Sequence, residues 1–428
     1  MSERRMSESG GAGLAIRSDG RRAPRVLLYS HDTFGLGHLR RSRAIANALA
    51  ESNSELSVLI VSGSPIIGSF EFRDGVDYVR VPGVVKLRNG DYTSLNLRTD
   101  LDEAVRLRES LIRQAVVSFE PDIIVVDKEP TGFRGEILPA LQIARERGAR
   151  IVLGVRDVLD DPRILAIEWE RKGALVALER LYDEVWVYGS KEVYEPLAGL
   201  QLTPRIEAST HYVGYLRREV PRSPHLVRHP KLTRGPFLLV TTGGGGDGEA
   251  LIDLTLSAYE ADRDLPLPAL IVFGPFIARE QRRGFLERIA RLSNVDAIAF
   301  DAKLERLMDR AAGIVAMGGY NTFCEILSFD KPALIVPRTQ PRQEQVIRAR
   351  AATRLGLVDL LEGPAEGHGP HDPAIMAAAL RRLPERPPPS HVIPAGLLDG
   401  LEGVKGLAAA NLAKSGMRAG MRLGAAAE

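Results

Sequence analysis

The sequence holds a single cysteine, Cys324, so it can build neither an internal disulfide framework nor a multi-cysteine zinc site, and it suits a reducing cytoplasm. It also lacks any apolar run of bilayer length. The longest near-apolar stretch, residues 268–277, falls far short of the ~20 residues that cross a membrane. Residues 1–22 lack the apolar stretch of a secretory signal, so export is not expected. There is no excess of charge: 57 Lys and Arg stand against 55 Asp and Glu, a formal net charge of +2. No global field is therefore set up to capture nucleic acid or an anionic membrane. The expected setting is the cytoplasm, with peripheral contact at the inner face of a membrane left open.

What remains is ordinary globular material, with 44% hydrophobic and 26% charged residues over 428 positions, enough for two or three domains, with two the first expectation. Residues 1–24, rich in Ser, Gly and Arg without apolar periodicity, read as a disordered tail. From residue 25 short apolar runs (26–30, 56–61, 122–127, 150–155, 184–188) alternate with amphipathic stretches such as 39–50, 101–119 and 135–147. Buried strands alternating with helices predict a parallel sheet covered on both faces. Residues 217–235 interrupt the pattern with three prolines and six basic residues against one acid, and read as a solvated linker. The alternation then restarts over 236–385. Residues 386–428 end the chain with an Ala- and Leu-rich segment, expected to be part helical and able to pack back across the domains. The expected fold class is α/β: an N-terminal doubly wound domain over 25–216 and a C-terminal one over 236–385.

Open parallel sheets bind ligands at the carboxyl ends of their strands, and four segments fall there. The first, Ser30-His31-Asp32-Thr33-Phe34-Gly35-Leu36-Gly37-His38, combines two glycines that allow close approach of a ligand with a histidine at a helix start. A helix-cap role for His38 is the plain alternative. The second, Thr241-Thr242-Gly243-Gly244-Gly245-Gly246-Asp247-Gly248, joins a strand to a helix, where bare amides and the helix dipole suit a diphosphate. No Lys-Ser/Thr follows, so it is not a Walker A loop. The third, Met317-Gly318-Gly319-Tyr320-Asn321-Thr322-Phe323-Cys324-Glu325, repeats the strand–glycine–helix arrangement, with Glu325 one turn on, where a carboxylate can accept from the hydroxyls of a ribose. Helix-cap roles for Asn321 and Thr322, and a small core residue for Cys324, are the plain alternatives. The fourth, residues 337–345, gathers amide and carboxylate side chains suited to sugar hydroxyls.

Together these segments resemble the GT-B glycosyltransferases, and family 28 in particular, which includes the N-acetylglucosaminyltransferase of peptidoglycan lipid-intermediate synthesis. The resemblance runs over roughly residues 25–360. It is most specific from Met317 to Gln345, where Gly-Gly-x-x-Thr-x-x-Glu-Ile-Leu, Lys-Pro-Ala-Leu-Ile-Val-Pro and Glu-Gln occur. The first-loop variant His-Asp-Thr-Phe-Gly-Leu-Gly-His-Leu-Arg-Arg looks like an uncharacterised bacterial branch. The resemblance implies two Rossmann-like domains facing across a cleft, with a nucleotide-sugar, expected to be UDP-linked, on the C-terminal one and the acceptor on the N-terminal one. Gly243, Gly244, Gly245 and Gly246 with Gly318, Gly319 and Thr322 would hold the diphosphate, and Asn321 belongs to the same donor-binding set. Glu325 would hold the ribose, Phe300 the base, and Glu344 and Gln345 the sugar; Glu344 departs from the amide often found there, which leaves the sugar open.

The reaction implied is inverting attack by an acceptor hydroxyl, with no cofactor beyond the nucleotide-sugar itself and no metal, since no Asp-x-Asp pair lies in a suitable loop. His38, in the acceptor-side loop with Gly35 and Gly37, is the first choice as base, and Asp32 and Glu129 are the alternatives. The expected setting is polysaccharide or glycoconjugate biosynthesis, with the acceptor unnamed and no nucleic-acid partner. A nucleotide-sugar hydrolase or epimerase of the same architecture, or a non-catalytic nucleotide-sugar sensor, are the rival readings.

Overall fold

The computed structural model describes residues 22–30, 37–86, 91–221, 229–244, 246–340, 342–363 and 372–425, with side chains to residue 415. The N-terminal half supplies β1 (Arg25–Ser30), β2 (Ser57–Ser62), β3 (Val76–Arg80), β4 (Val84–Lys86), β5 (Tyr92–Ser94), β6 (Ile123–Asp127), β7 (Arg150–Arg156), β8 (Glu184–Tyr188) and β9 (Thr210–Tyr212). Among the described residues seven of these form one sheet in the order β3-β2-β1-β6-β7-β8-β9, parallel throughout, and β4 and β5 form a separate antiparallel pair. β6 and β8 are buried at every position, which explains why they read as unbroken apolar runs rather than alternating ones.

The C-terminal half supplies β10 (Leu238–Thr241), β11 (Ala269–Val272), β12 (Val295–Ile298), β13 (Gly313–Ala316), β14 (Ala333–Ile335) and β15 (Asp359–Leu360). They form a second parallel sheet in the order β12-β11-β10-β13-β14-β15. In each sheet the order reverses beside the first strand, between β1 and β6 and between β10 and β13. At such a switch point neighbouring connections leave in opposite directions and open a crevice at the strand ends.

The segment expected to be a solvated linker is pinned where it starts. Arg218 donates from its backbone to Ser328 Oγ at 2.9 Å and from Nη2 to Asn321 Oδ1 at 2.7 Å, and Arg306 Nη2 holds the carbonyl of Pro221 at 2.7 Å. The basic residues read as solvent-facing include one that ties the halves together. Residues 222–228 lie outside the described residues. The Gly400–Ala425 helix lies against the Gly37–Ser52 helix and β6, and Asn411 joins it to the N-terminal sheet by accepting from Arg150 Nε and donating to Glu184 Oε2, both at 2.8 Å. No helix among the described residues is long and apolar enough to cross a membrane.

Between the halves the core is continuous. Tyr215 stacks on Tyr320 at 6.0 Å between ring centroids and meets Phe323 edge-on at 5.2 Å. At the centre of this seam Asp157, just past β7, takes two parallel hydrogen bonds from Arg348 of the Glu344–Arg354 helix, Nε at 2.7 Å and Nη2 at 2.6 Å. A third comes from Tyr215 Oη at 2.8 Å. Both ion-pair side chains are essentially without solvent exposure. Removing one member of such a pair strands the other charge in the interior. Asp157→Ala is therefore expected to lower the unfolding free energy by about 3–5 kcal/mol, read from urea denaturation, with the Asp157→Leu/Arg348→Met double variant losing less. An unchanged midpoint for Asp157→Ala would show that the seam does not depend on the pair.

Candidate active site

The two switch points face one another across a cleft of about 260 Å³. From the N-terminal side it is lined by Gly37, His38, Arg40, Arg41, Phe70 and Arg156. His38 lies in the first turn of the Gly37–Ser52 helix, and its Nδ1 lies 2.5 Å from Oδ2 of Asp127, the last residue of β6. Arg41, one turn further along, grips the same carboxylate with Nε at 2.8 Å and Nη2 at 2.6 Å. Burial pushes the Asp127 carboxyl up, but the Arg41 charge, with the hydrogen bonds from His38 and Arg41, outweighs it and holds it well below the usual carboxylate range. An ionised Asp127 accepts from Nδ1–H and so leaves the imidazole lone pair on Nε2. That is the orientation in which a histidine can take a proton.

The C-terminal wall includes Thr241, which ends β10, Thr242, Gly243, Gly244 and Gly246 beyond it, and Met317, Gly319, Tyr320, Asn321 and Thr322 after β13. Gly318 adopts φ +79, and a Cβ there would lie 2.7 Å from Ile335, so only glycine fits the turn. Gly319 caps the Tyr320–Ser328 helix without any side-chain bond, and a Cβ added to it would meet nothing within 4 Å. The first-turn amides of that helix therefore start at the cleft with no side-chain cap, the arrangement that binds phosphate. Beyond them Phe300, 40% exposed, lines the same cleft with Val272, Gly274 and Leu304.

The cleft thus sets the imidazole of His38 opposite a glycine-led helix start. Residues 238–357 match the family model for the glycosyltransferase family 28 C-terminal domain. The C-terminal half thus carries a glycosyltransferase domain of the family 28 type, and the chain as a whole has the GT-B fold. Solved structures share that fold at low identity. UGT2 of Phytolacca americana, complexed with UDP-2-fluoroglucose and pterostilbene, is 13% identical with a TM-score of 0.57, over 94% of this chain and 99% of its own. Acinetobacter baumannii MurG is 12% identical with a TM-score of 0.52, over 89% and 95%. A Listeria monocytogenes protein assigned as a UDP-N-acetylglucosamine 2-epimerase is 12% identical with a TM-score of 0.58, over 89% and 94%. No curated protein matches the chain.

In this glycosyltransferase most residues singled out from the sequence meet in the cleft: His38 and Gly37, the described glycines of both loops except Gly318, which forms the turn behind it, and Phe300, Asn321, Thr322, Glu325, Glu344 and Gln345. Asp32, Gly35 and Gly245 lie outside the described residues. Glu129 stands apart from this lining. It is buried, accepts from Lys172 Nζ at 2.8 Å and lies 3.3 Å from Lys128 Nζ, so two lysines use it as a counter-ion. Asn321 spends its side chain on the seam, donating to the Gly37 carbonyl at 3.0 Å and accepting from Arg218. Glu325 accepts from Nη2 of Arg40, which also reaches Glu305 at 2.8 Å. Burial pushes the Glu325 carboxyl up; Arg40 opposes this and neighbouring Glu305 adds to it. Glu344 is buried and accepts from Arg338 Nη2 at 3.1 Å, and Gln345 Oε1 accepts from the Arg338 amide at 3.1 Å. Burial raises the Glu344 carboxyl, but Arg156 and Arg338 outweigh it and hold it down.

Asp127, Arg41, Arg40 and Arg156 escaped sequence reasoning. A signal existed for two of them: Arg41 follows His38 by one helical turn, and Asp127 is the polar residue that ends an apolar strand. Lys128, next in the chain, has φ +70, sparsely populated for any residue with a side chain. Burial, with the repulsion of Arg342, pushes its ammonium from 10.5 down to about 8. The folded value lies below the unfolded one, so between about pH 8 and 10.5 the unfolded chain holds a proton that the folded chain has shed. This group therefore burdens the fold below pH 8, and the burden lifts as pH rises through that window. The stability difference between Lys128→Met and wild type should be most favourable to the variant near pH 7 and shrink towards pH 10. A difference that does not change with pH would show that Lys128 titrates as an ordinary surface lysine.

Proposed function

We propose that this glycosyltransferase moves a sugar from a UDP-linked donor to an acceptor hydroxyl by inverting attack, without a divalent cation. The observation that carries the reading is the His38–Asp127 pair on one sheet, facing the glycine-led start of the Tyr320–Ser328 helix on the other. His38 Nε2 takes the proton of the attacking hydroxyl while Asp127 stabilises the imidazolium that forms. The departing diphosphate is met by backbone amides after β10 and β13 and by the dipole of the helix, which stabilise its charge as it develops. Phe300 offers an exposed ring for the base, and Glu344 with Gln345 faces the sugar. UGT2, which shares the fold, is complexed with a UDP-sugar, which supports the choice of donor.

Glu325 is the residue for the ribose in this reading, and binding there requires Arg40 to share or yield the carboxylate. Nucleotide binding and the contact between the two halves are then linked. A second reading, epimerisation of the donor, is favoured by the likeness to the Listeria monocytogenes protein. Incubation with UDP-sugar alone separates the two, since an epimerase converts its donor with no acceptor present, and a hydrolase releases free sugar stoichiometrically.

Two measurements test the proposal. UDP should bind with the same affinity in magnesium and in EDTA; an absolute need for the cation removes the metal-free mechanism. His38→Ala should reduce sugar transfer by roughly 10²–10⁴-fold while UDP affinity and melting temperature stay near wild type. Transfer at the wild-type rate would take His38 out of the chemistry, and a fall in melting temperature together with activity would mark it as a structural helix-start residue.

A further inference from the structure

Among the cations that line the cleft, Arg156 has no part in the reaction as described. Arg156 closes β7 and lines the cleft from the acceptor-side domain. Its neighbours Arg41 and Arg348 each fork onto a carboxylate of their own. Arg156 does not. Its nearest carboxylate oxygen, Glu344 Oε1, is 3.9 Å away, beyond hydrogen-bond length and already accepting from Arg338. Its Nε is buried without any hydrogen-bond partner, and so is the second oxygen of Glu344. A guanidinium that is only 16% exposed, with its Nε donor unmet among the described residues, is unfavourable unless a ligand completes it.

A second buried cation stands beside it. β6 and β7 are neighbours in register, Asp127 opposite Gly154, and the Lys128 amide donates to the Gly154 carbonyl at 2.7 Å. Lys128, one residue past Asp127, and Arg156, two past Gly154, therefore lie at the carboxyl ends of adjacent strands, close enough for the Arg156 charge to act on Lys128. Lys128 is 8% exposed, and its one ion pair among the described residues, with Glu129 at 3.3 Å, is to a carboxylate shared with Lys172. Both cations belong to the domain that lacks the glycine loops, and Arg156 lies in the same cleft as His38. The diphosphate has its own amides on the opposite wall.

We propose that Arg156, backed by Lys128, receives an anionic oxygen group of the acceptor, a carboxylate or a phosphate, and so holds the acceptor beside His38. The inference rests on the glycosyltransfer reading and names the acceptor class within it: a hydroxyl compound that also carries a carboxylate or phosphate. An arginine fork matches the paired oxygens of either group, and a nearby ammonium adds charge without demanding a second geometry.

The test uses the full chain saturated with UDP, so that the glycine loops are filled, and titrates inorganic phosphate or acetate by calorimetry. Wild type should bind at least one of the two in the millimolar range, and the tighter of them names the group. Arg156→Gln should weaken that binding at least ten-fold and Lys128→Met several-fold, with UDP affinity within two-fold of wild type for both. Arg156→Lys, which keeps the charge, should retain part of the binding, and melting temperatures confirm that the variants are folded. Absence of binding to the UDP complex by either probe overturns the proposal, as does probe affinity unchanged in Arg156→Gln. A ten-fold loss of UDP affinity in Arg156→Gln also overturns it, because the arginine would then serve the donor diphosphate. UDP binding by wild type is read in the same experiment, so failure of the donor assignment is seen separately from failure of the acceptor site.

Discussion

Asp157 has no solvent-exposed side-chain surface, and a carboxylate in that position persists only because Arg348 reaches it from the other half of the chain. The desolvation of two such charges is recovered only by good geometry and full hydrogen bonding, which the parallel pair of bonds and the Tyr215 hydroxyl supply. The same guanidinium has a further duty. Its Nη1 donates to the Gly318 carbonyl at 2.9 Å, within the turn that leads into the Tyr320–Ser328 helix. One buried ion pair thus fixes where the halves meet and how the Gly318-Gly319 turn presents its helix start. A site split between two sheets needs such a link, because neither sheet alone sets the distance between His38 and the amides opposite.

Around that centre the seam is built largely from arginines meeting carboxylates. Arg40 reaches Glu305 and Glu325, and Arg342 reaches Asp160 at 3.2 Å and Glu168 at 3.1 Å. The planar fork of arginine satisfies two oxygens at once and stays charged when buried, which lysine does less well. It also explains how a chain with a net charge of +2 can hold strong local fields. The charges cancel in the total while remaining separate in space, so a cleft can be cationic on one wall although the composition is neutral.

The alternation of apolar runs with amphipathic stretches made the two doubly wound sheets legible, because strands buried on both faces have no polar positions to blur the signal. Short or half-exposed strands gave no such signal. β3 and the β4–β5 pair are partly exposed, and β9 and β15 are only three and two residues long. Of the site, the glycine loops and His38 were legible because their local chemistry is unusual. Glu129 was drawn in by its position after β6, but its partners, Lys172 and Lys128, act through the fold. The arginines of the cleft could not be ranked from sequence. Arg41, Arg156 and Arg348 look alike in one dimension, and only their partners in space separate a satisfied structural fork from an open one.

The acid at position 344, where the resemblance leads one to expect an amide, follows from the same electrostatics. A buried carboxylate needs cations, and Arg338 and Arg156 are both on hand to keep it ionised. In the proposed reaction an ionised Glu344 can only accept from sugar hydroxyls. Gln345 uses its carbonyl oxygen on the Arg338 amide, which orients its amino group as the donating end. The pair therefore divides the work that two amides would share, with one side chain accepting and the next donating. A glutamine at 344 would ease the burial but leave Arg338 and Arg156 with a neutral partner. The acid and its arginines thus make sense only together, and the arginine left incompletely paired is the one proposed to receive the acceptor.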